Sequence, residues 1–257
     1  TFMGIAIKYL PRIPTYEKVF FRNSVSLMLS AFILFKQKES IKVEKENIPF
    51  VFGRSFFGFV GMVANFYALE YLTMAEANML NKLSPVFVTI CACIFLKERV
   101  DKKQVIGIIL MLLAVVFVIK PSFSPEVIPS LAGLFSAVLA GFSYTIIRYL
   151  NGKVKSEINV FYFSLLSVIC TFPLMMMNFV KPTLNEFLIL LGGIGISAAM
   201  GQFGLTYAYT FAPASEVSIY NYVIIITSML MDYVLFSTIP DLFSFIGGFM
   251  IISTAIY

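Results

Sequence analysis

AEANMLNKLSP (75–85) runs straight into VFVTICACIFL (86–96). Its eleven residues include Glu76, Asn78, Asn81, Lys82 and Ser84, whereas the run that follows holds no charge. A carboxylate, two amides and an ammonium at the start of an apolar helix must reach water or find partners within protein. The pattern returns at SEVSIYN (215–221), where Glu216 and Asn221 repeat the spacing of Glu76 and Asn81.

The chain around these segments is largely hydrocarbon. Of its 257 residues 59% are apolar and 13% charged, against about a quarter charged in soluble domains. The apolar residues come in blocks of about 20, the length a helix needs to cross a bilayer. Runs such as VIGIILMLLAVVFVI (105–119) lack the strict alternation of a spanning β-strand, so a barrel is excluded. The expected class is an all-α integral membrane protein. There is no histidine, which removes His-based metal sites and proton relays. Cys91, Cys93 and Cys170 lie in apolar runs without CxxC spacing and read as packing residues. With no tryptophan, tyrosine is left to supply the interfacial belt.

Windows of about 19 residues predict ten spans. The first ends near Leu10 and is expected to be truncated at its start. The others cover about Tyr16–Phe35, Ile48–Tyr71, Met74–Leu96, Gln104–Ile119, Leu131–Leu150, Asn159–Val180, Asn185–Phe211, Pro213–Phe236 and Leu242–Tyr257. One set of loops holds Lys36, Lys38, Lys42, Lys45, Lys97, Arg99, Lys102, Lys103, Lys153 and Lys155; the opposite set holds only Arg12, Lys120 and Lys181. Positive residues stay cytoplasmic, which predicts a multi-pass protein of the cell (inner) membrane with both termini cytoplasmic.

Sliding the sequence by 140 residues aligns it with itself without gaps. Glu17 falls on Glu157, Gly53 on Gly193, Gly61 on Gly201, Tyr67-Ala68 on Tyr207-Ala208, Asp101 on Asp241 and Gly107 on Gly247. Rare polar residues inside the spans carry this signal, above all the Glu-x4-Asn pair. Two five-helix repeats are expected, at 1–120 and 130–257. Five is odd, so tandem copies insert with opposite orientation, the arrangement of alternating-access transporters with a substrate site near the midplane.

YALEYLTMAEANMLNKLSPVFVTICACIFLKE (67–98), followed by QVIGIILMLLAVVFVI, resembles the EamA family of the drug/metabolite transporter superfamily. YAYTFAPASEVSIYNYVIIITSMLMDYVLF (207–236) is similar to that family's ninth helix, although Thr238 stands where a Glu matching Glu98 is expected and Asp232 appears earlier. The resemblance covers essentially the whole chain. It implies a ten-helix fold moving small metabolites, in either direction.

Candidate site residues follow from depth and helical phase. Lys82 lies roughly 12 Å into the fourth span, too deep for easy snorkelling. If that span is one continuous helix, Asn78, Asn81, Lys82 and Pro85 share a face about 100° wide, and Pro85 loosens the helix by lacking an N–H. In the second copy Tyr220 replaces Leu80 and Tyr222 replaces Lys82. Asn65, Tyr67, Gln202 and Tyr207 on neighbouring helices complete a polar cavity with Asn78, Asn81, Asn221 and one positive group. Such a site suits a small organic acid, an amino acid or another zwitterion, with tyrosine faces available for cation–π contact. For the amides, interhelical hydrogen bonding is the competing reading.

Glu76, near the external end of its helix, Glu216, near the cytoplasmic end of its own, and Arg22 are gating or coupling candidates. A carboxylate of raised pKa could carry a coupling proton, and a plain helix-start role is equally open. Glu70 and Asp232 are expected to bend outward to headgroups, while Arg54 is open to snorkelling or to an inward role. A secondary transporter of a small-molecule substrate is therefore expected, with no cofactor, no metal and no nucleic-acid partner. An enzyme lacks its constellation here, since HExxH, GxSxG and a phosphate-binding GxxxxGK are all missing from the sequence. The alternative is a non-transporting membrane scaffold or receptor, for which Gly58/Gly61, Gly192/Gly193/Gly195, Gly201/Gly204 and Gly247/Gly248 would be packing notches.

Overall fold

The computed structural model describes residues 1–96, 101–119, 127–211, 214–238 and 241–256. At 92, 96, 103–104, 115, 119, 205–211, 214–222 and 255–256 it describes backbone alone. Helices α1 to α6 are Phe2–Lys8, Thr15–Lys36, Ile48–Tyr71, Met74–Asn81, Ser84–Leu96 and Lys102–Ile119. They are followed by α7 Val127–Leu150, α8 Ser156–Met177, α9 Leu184–Leu188, a π-helical segment Ile189–Ile196, α10 Ser197–Phe211, α11 Ala214–Phe236 and α12 Leu242–Ile256. No strand occurs among the described residues.

Local chemistry sets the boundaries. Pro14 opens α2 from an extended conformation and Pro49 stands in the first turn of α3, where a missing N–H costs nothing. Thr73 and Glu76 form a capping box at α4, and Thr183 and Glu186 form another at α9. Each satisfies two of the orphan N–H groups of a helix start.

Among the described residues six segments are long and apolar enough to cross a bilayer: Thr15–Lys36, Ile48–Tyr71, Met74–Phe95, Val127–Leu150, Ser156–Met177 and Leu184–Gly204. Large apolar side chains such as Phe32, Phe52, Leu113, Ile169, Met200 and Phe249 are exposed around the bundle. In water such a surface would aggregate; in lipid it is the contact surface. The chain is a multi-pass helical membrane protein.

The main helix pairings are α3 with α7, α2 with α8, α6 with α12, α5 with α7, α3 with α8 and α2 with the π segment, and α4 packs on α11. Two buried apolar clusters hold the bundle. One gathers Met79, Leu80 and Leu83 with Met111, Ile225 and Ile251; the other gathers Ile7, Leu10 and Ile13 with Phe66, Leu69 and Leu190.

Two expectations fail. The fourth span is not one continuous helix: it breaks at Lys82-Leu83, between α4 and α5. Pro85 offers no N–H to the Asn81 carbonyl, and the Leu83 N–H turns back to Leu80 O at 3.1 Å. A shared face running from Asn78 through Pro85 therefore has no helical basis. Glu70 and Asp232 also turn inward rather than to headgroups. Glu70 accepts from Lys18 Nζ and Thr15 Oγ1, both at 2.6 Å, and Asp232 is fully buried.

Candidate functional site

The break in the fourth span falls at Lys82, the candidate substrate contact. Lys82 is the C-cap of α4, half-buried, and its ammonium has no hydrogen-bond partner among the described residues. The two amides beside it are engaged with other helices. Asn78 Nδ2 donates to Ser228 Oγ of α11 at 2.8 Å, and Asn81 Nδ2 to Ser136 Oγ of α7 at 3.3 Å. Both therefore act as interhelical ties, and Lys82 is the group left over. Discontinuous spans are a common way for transporters to expose backbone groups at membrane depth.

The start of α4 is clasped. Glu76 accepts from Thr73 in the capping box and from Ser244 Oγ of α12 at 2.8 Å. Asp232 Oδ2 accepts from the Ala75 N–H at 2.8 Å, and Lys8 Nζ donates to Leu72 O at 2.8 Å. At the same end Glu17 accepts from the Val180 N–H at 3.3 Å, while Arg12 bonds Glu186 and Lys181 O. At the opposite end Lys155 pairs with Glu39 at 2.5 Å and Tyr162 donates to Ile41 O at 2.9 Å.

Tyr67 is half-buried with its ring 4.7 Å from that of Tyr71, and Gln202 is half-buried on α10. The side chains of Tyr207, Glu216, Tyr220, Asn221 and Tyr222 lie outside the described residues.

A second group of cations lies where α2, α3, α7 and α8 meet. Arg22 is 8% exposed and Arg54 3%; their guanidinium carbons stand 5.6 and 4.3 Å from the centroid of Phe163 on α8. Arg54 thus folds inward rather than snorkelling. Arg22 Nη1 donates to Asn23 Oδ1 at 2.7 Å, and Ser143 Oγ of α7 donates to Arg54 O at 3.1 Å. Phe163 and Ser143 carry no signal in the sequence, because a phenylalanine or serine in an apolar helix is ordinary. The two arginines do carry one, as charges inside predicted spans.

Two open grooves lie elsewhere. One runs between the α2–α3 loop and the end of α7, along Glu44, Asn47, Tyr149 and Lys153; the other is apolar, between α3 and α8, along Phe52, Ser55, Leu165 and Ile169. Neither reaches Lys82 or the arginines.

The profile of the EamA-like transporter family matches residues 1–120 and 128–257. The chain is 30% identical over 246 residues to the pseudopaline exporter CntI of Pseudomonas aeruginosa, covering 95% of this chain and 86% of that protein. It is 26% identical over 259 residues to the S-adenosylmethionine uptake transporter of Rickettsia felis, covering 97% and 85%. A solved crystal structure superposes with a TM-score of 0.65 at 18% identity, covering 99% of this chain and 91% of the other, which shares the fold.

Proposed function

The chain belongs to the EamA-like transporter family, and from that premise we propose that it is a secondary transporter working by alternating access between two inverted five-helix repeats. Family membership makes it a membrane transporter and not an enzyme. The finer reading is that a small polar metabolite (amino acid, organic acid or other zwitterion-like solute) crosses the cell membrane by way of the broken fourth span.

One observation carries the two-repeat reading. A Cβ on Gly53 would meet Ile146, and one on Gly193 would meet Ala6; adding 140 to one pair gives the other with its members exchanged. Gly107 faces Thr254 and Gly247 faces Ala114, by the same rule. Helix pairs exchange likewise: α3 with α7 answers the π segment with α1, and α3 with α8 answers the π segment with α2. Contacts that swap under one sequence offset are what a two-fold axis between halves produces.

Lys82 is the proposed substrate contact, with Tyr67, Gln202, Tyr207, Tyr220, Asn221 and Tyr222 as its surroundings. The Glu76 clasp, with Asp232 and Ser244, supports a gate closed at the end bearing the α1–α2 turn; Glu216 would serve the other end. Lysines at the α2–α3 and α7–α8 loops support that second end, and both termini, being cytoplasmic.

Flux into proteoliposomes tests the reading. Saturable uptake of a metabolite, lost in Lys82→Ala, is the expected outcome. No saturable flux from a broad pool of amino acids, nucleosides, organic acids and amines would favour a scaffold or receptor.

A further inference from the structure

Arg22 and Arg54 differ in kind from Lys18, the other deeply buried cation among the described residues. Lys18, 1% exposed, has Glu70 at 2.6 Å. Neither guanidinium has a carboxylate partner among the described residues. Arg22 Nε and Arg54 Nε and Nη1 are sealed from solvent without an acceptor among the described residues. The face of Phe163 attracts both charges, but a ring face leaves in-plane N–H donors unsatisfied. An unpaired charge in a low-dielectric interior is strongly unfavourable, and a protein that pairs Lys18 has the means to pair these. What the site lacks is an anion.

The donors converge from separate helices. Arg22 comes from α2, Arg54 from α3 and Phe163 from α8, so the cluster draws on both sequence halves. Tyr144 of α7 is the electrostatic neighbour of both guanidiniums. One turn along α3 from Arg54, a Cβ on Gly58 would stand 3.1 Å from Phe163 Cε2, 3.2 Å from Ser143 Oγ and 3.3 Å from Arg54 Nη1. Glycine at 58 thus lets α3 pack closely against α7 and α8 beside the unsatisfied Arg54 donor, where a larger residue would press on it.

We infer that Arg22 and Arg54 form a carboxylate-recognition site on the transport path, so that the solute is a small organic anion. The inference rests on the transporter reading above but not on Lys82 being the contact. The planar guanidinium fork matches two carboxylate oxygens, and two such forks on one ring favour an anion while repelling a lone amine. A lipid phosphate offers similar oxygens, but Arg54 is roughly 9 Å inside α3 by helical rise and turned toward the bundle.

The test uses the purified full chain, melted with succinate or citrate, with putrescine as the cationic arm and phosphatidylglycerol as the lipid arm, alongside proteoliposome flux of the same solutes. At least one carboxylate is expected to raise the melting temperature of wild type, with the shift lost in Arg54→Gln and in Arg22→Gln. Arg54→Lys keeps the charge without the fork and is expected to raise the half-saturating concentration at least tenfold. Ligand-free Arg54→Gln is expected to melt above wild type, because it removes an unpaired buried charge. If either glutamine variant fails to fold, Arg54→Lys and Phe163→Leu carry the test through the same shift.

A carboxylate shift unchanged in the arginine variants overturns the inference, as does stabilisation by phosphatidylglycerol or putrescine alone, or by nothing. Flux of a non-anionic solute that needs Lys82 but neither arginine overturns it while leaving the transporter reading intact. Carboxylate binding lost in the arginine variants, with no flux of any solute, retains the anion site and sinks transport.

Discussion

Asp232 Oδ2 accepts the backbone N–H of Ala75 at 2.8 Å, so a side chain near the end of α11 caps the start of α4, 157 residues away in sequence. Losing a cap of this kind costs about 1–2 kcal/mol. Asp232→Ala is expected to lower the melting temperature, and Asp232→Asn, which keeps an acceptor, to lower it less. Equal losses would mean that the hydrogen bond is not what Asp232 contributes.

Lys82 and its neighbouring amides should separate cleanly. Lys82 has no side-chain partner among the described residues, whereas Asn78 and Asn81 tie α4 to α11 and α7. Lys82→Ala is expected to abolish uptake with no loss of stability. Asn78→Ala and Asn81→Ala are each expected to cost about 0.5–1.5 kcal/mol, the range of interhelical bonds in membranes, with uptake retained. Thermal melts and uptake measured on the same three variants decide between the roles.

The π segment offers an internal control. A Cβ on Gly195 would come within 2.5 Å of Val25 Cγ2, while one on Gly192 meets nothing within 4 Å. Gly195→Ala is expected to destabilise by about 1–3 kcal/mol through overpacking of α2 against the segment. Gly192→Ala should be neutral or stabilising by up to about 1 kcal/mol. Similar melting of the two variants would be inconsistent with the close approach at Val25.

The Lys18–Glu70 pair is expected to be intolerant of single removal. Lys18 is 1% exposed on its side chain and Glu70 22%, so Glu70→Ala strands a buried ammonium at a cost of about 3–5 kcal/mol. The double variant Lys18→Met/Glu70→Leu is expected to recover most of that loss. A double variant no more stable than Glu70→Ala alone would show that the penalty does not come from the stranded charge.

Gly53 and Gly193 show how far the sequence could be read. Their match at an offset of 140 is visible in the sequence, and so is their suitability for close packing. That each faces the counterpart of the other's partner, Ile146 and Ala6, needed coordinates. Pro85 likewise announced a loosened helix, yet that the loosening becomes a full break at Lys82-Leu83 is seen only in the coordinates.

Membrane class, approximate spans and the cationic residues that demand explanation were determined by the sequence alone. Hydropathy is a sum over neighbouring residues, and lipid obliges each span to satisfy its own backbone. Partner choice belonged to the tertiary structure. Glu70 and Asp232 look like headgroup-seeking acids when only their depth is considered, and Arg54 like a snorkelling cation. Their actual partners, Lys18, the Ala75 N–H and the Phe163 ring, lie 52, 157 and 109 positions away along the chain. A charge inside a membrane is stabilised by whatever packing brings within a few ångströms, and no local pattern encodes that.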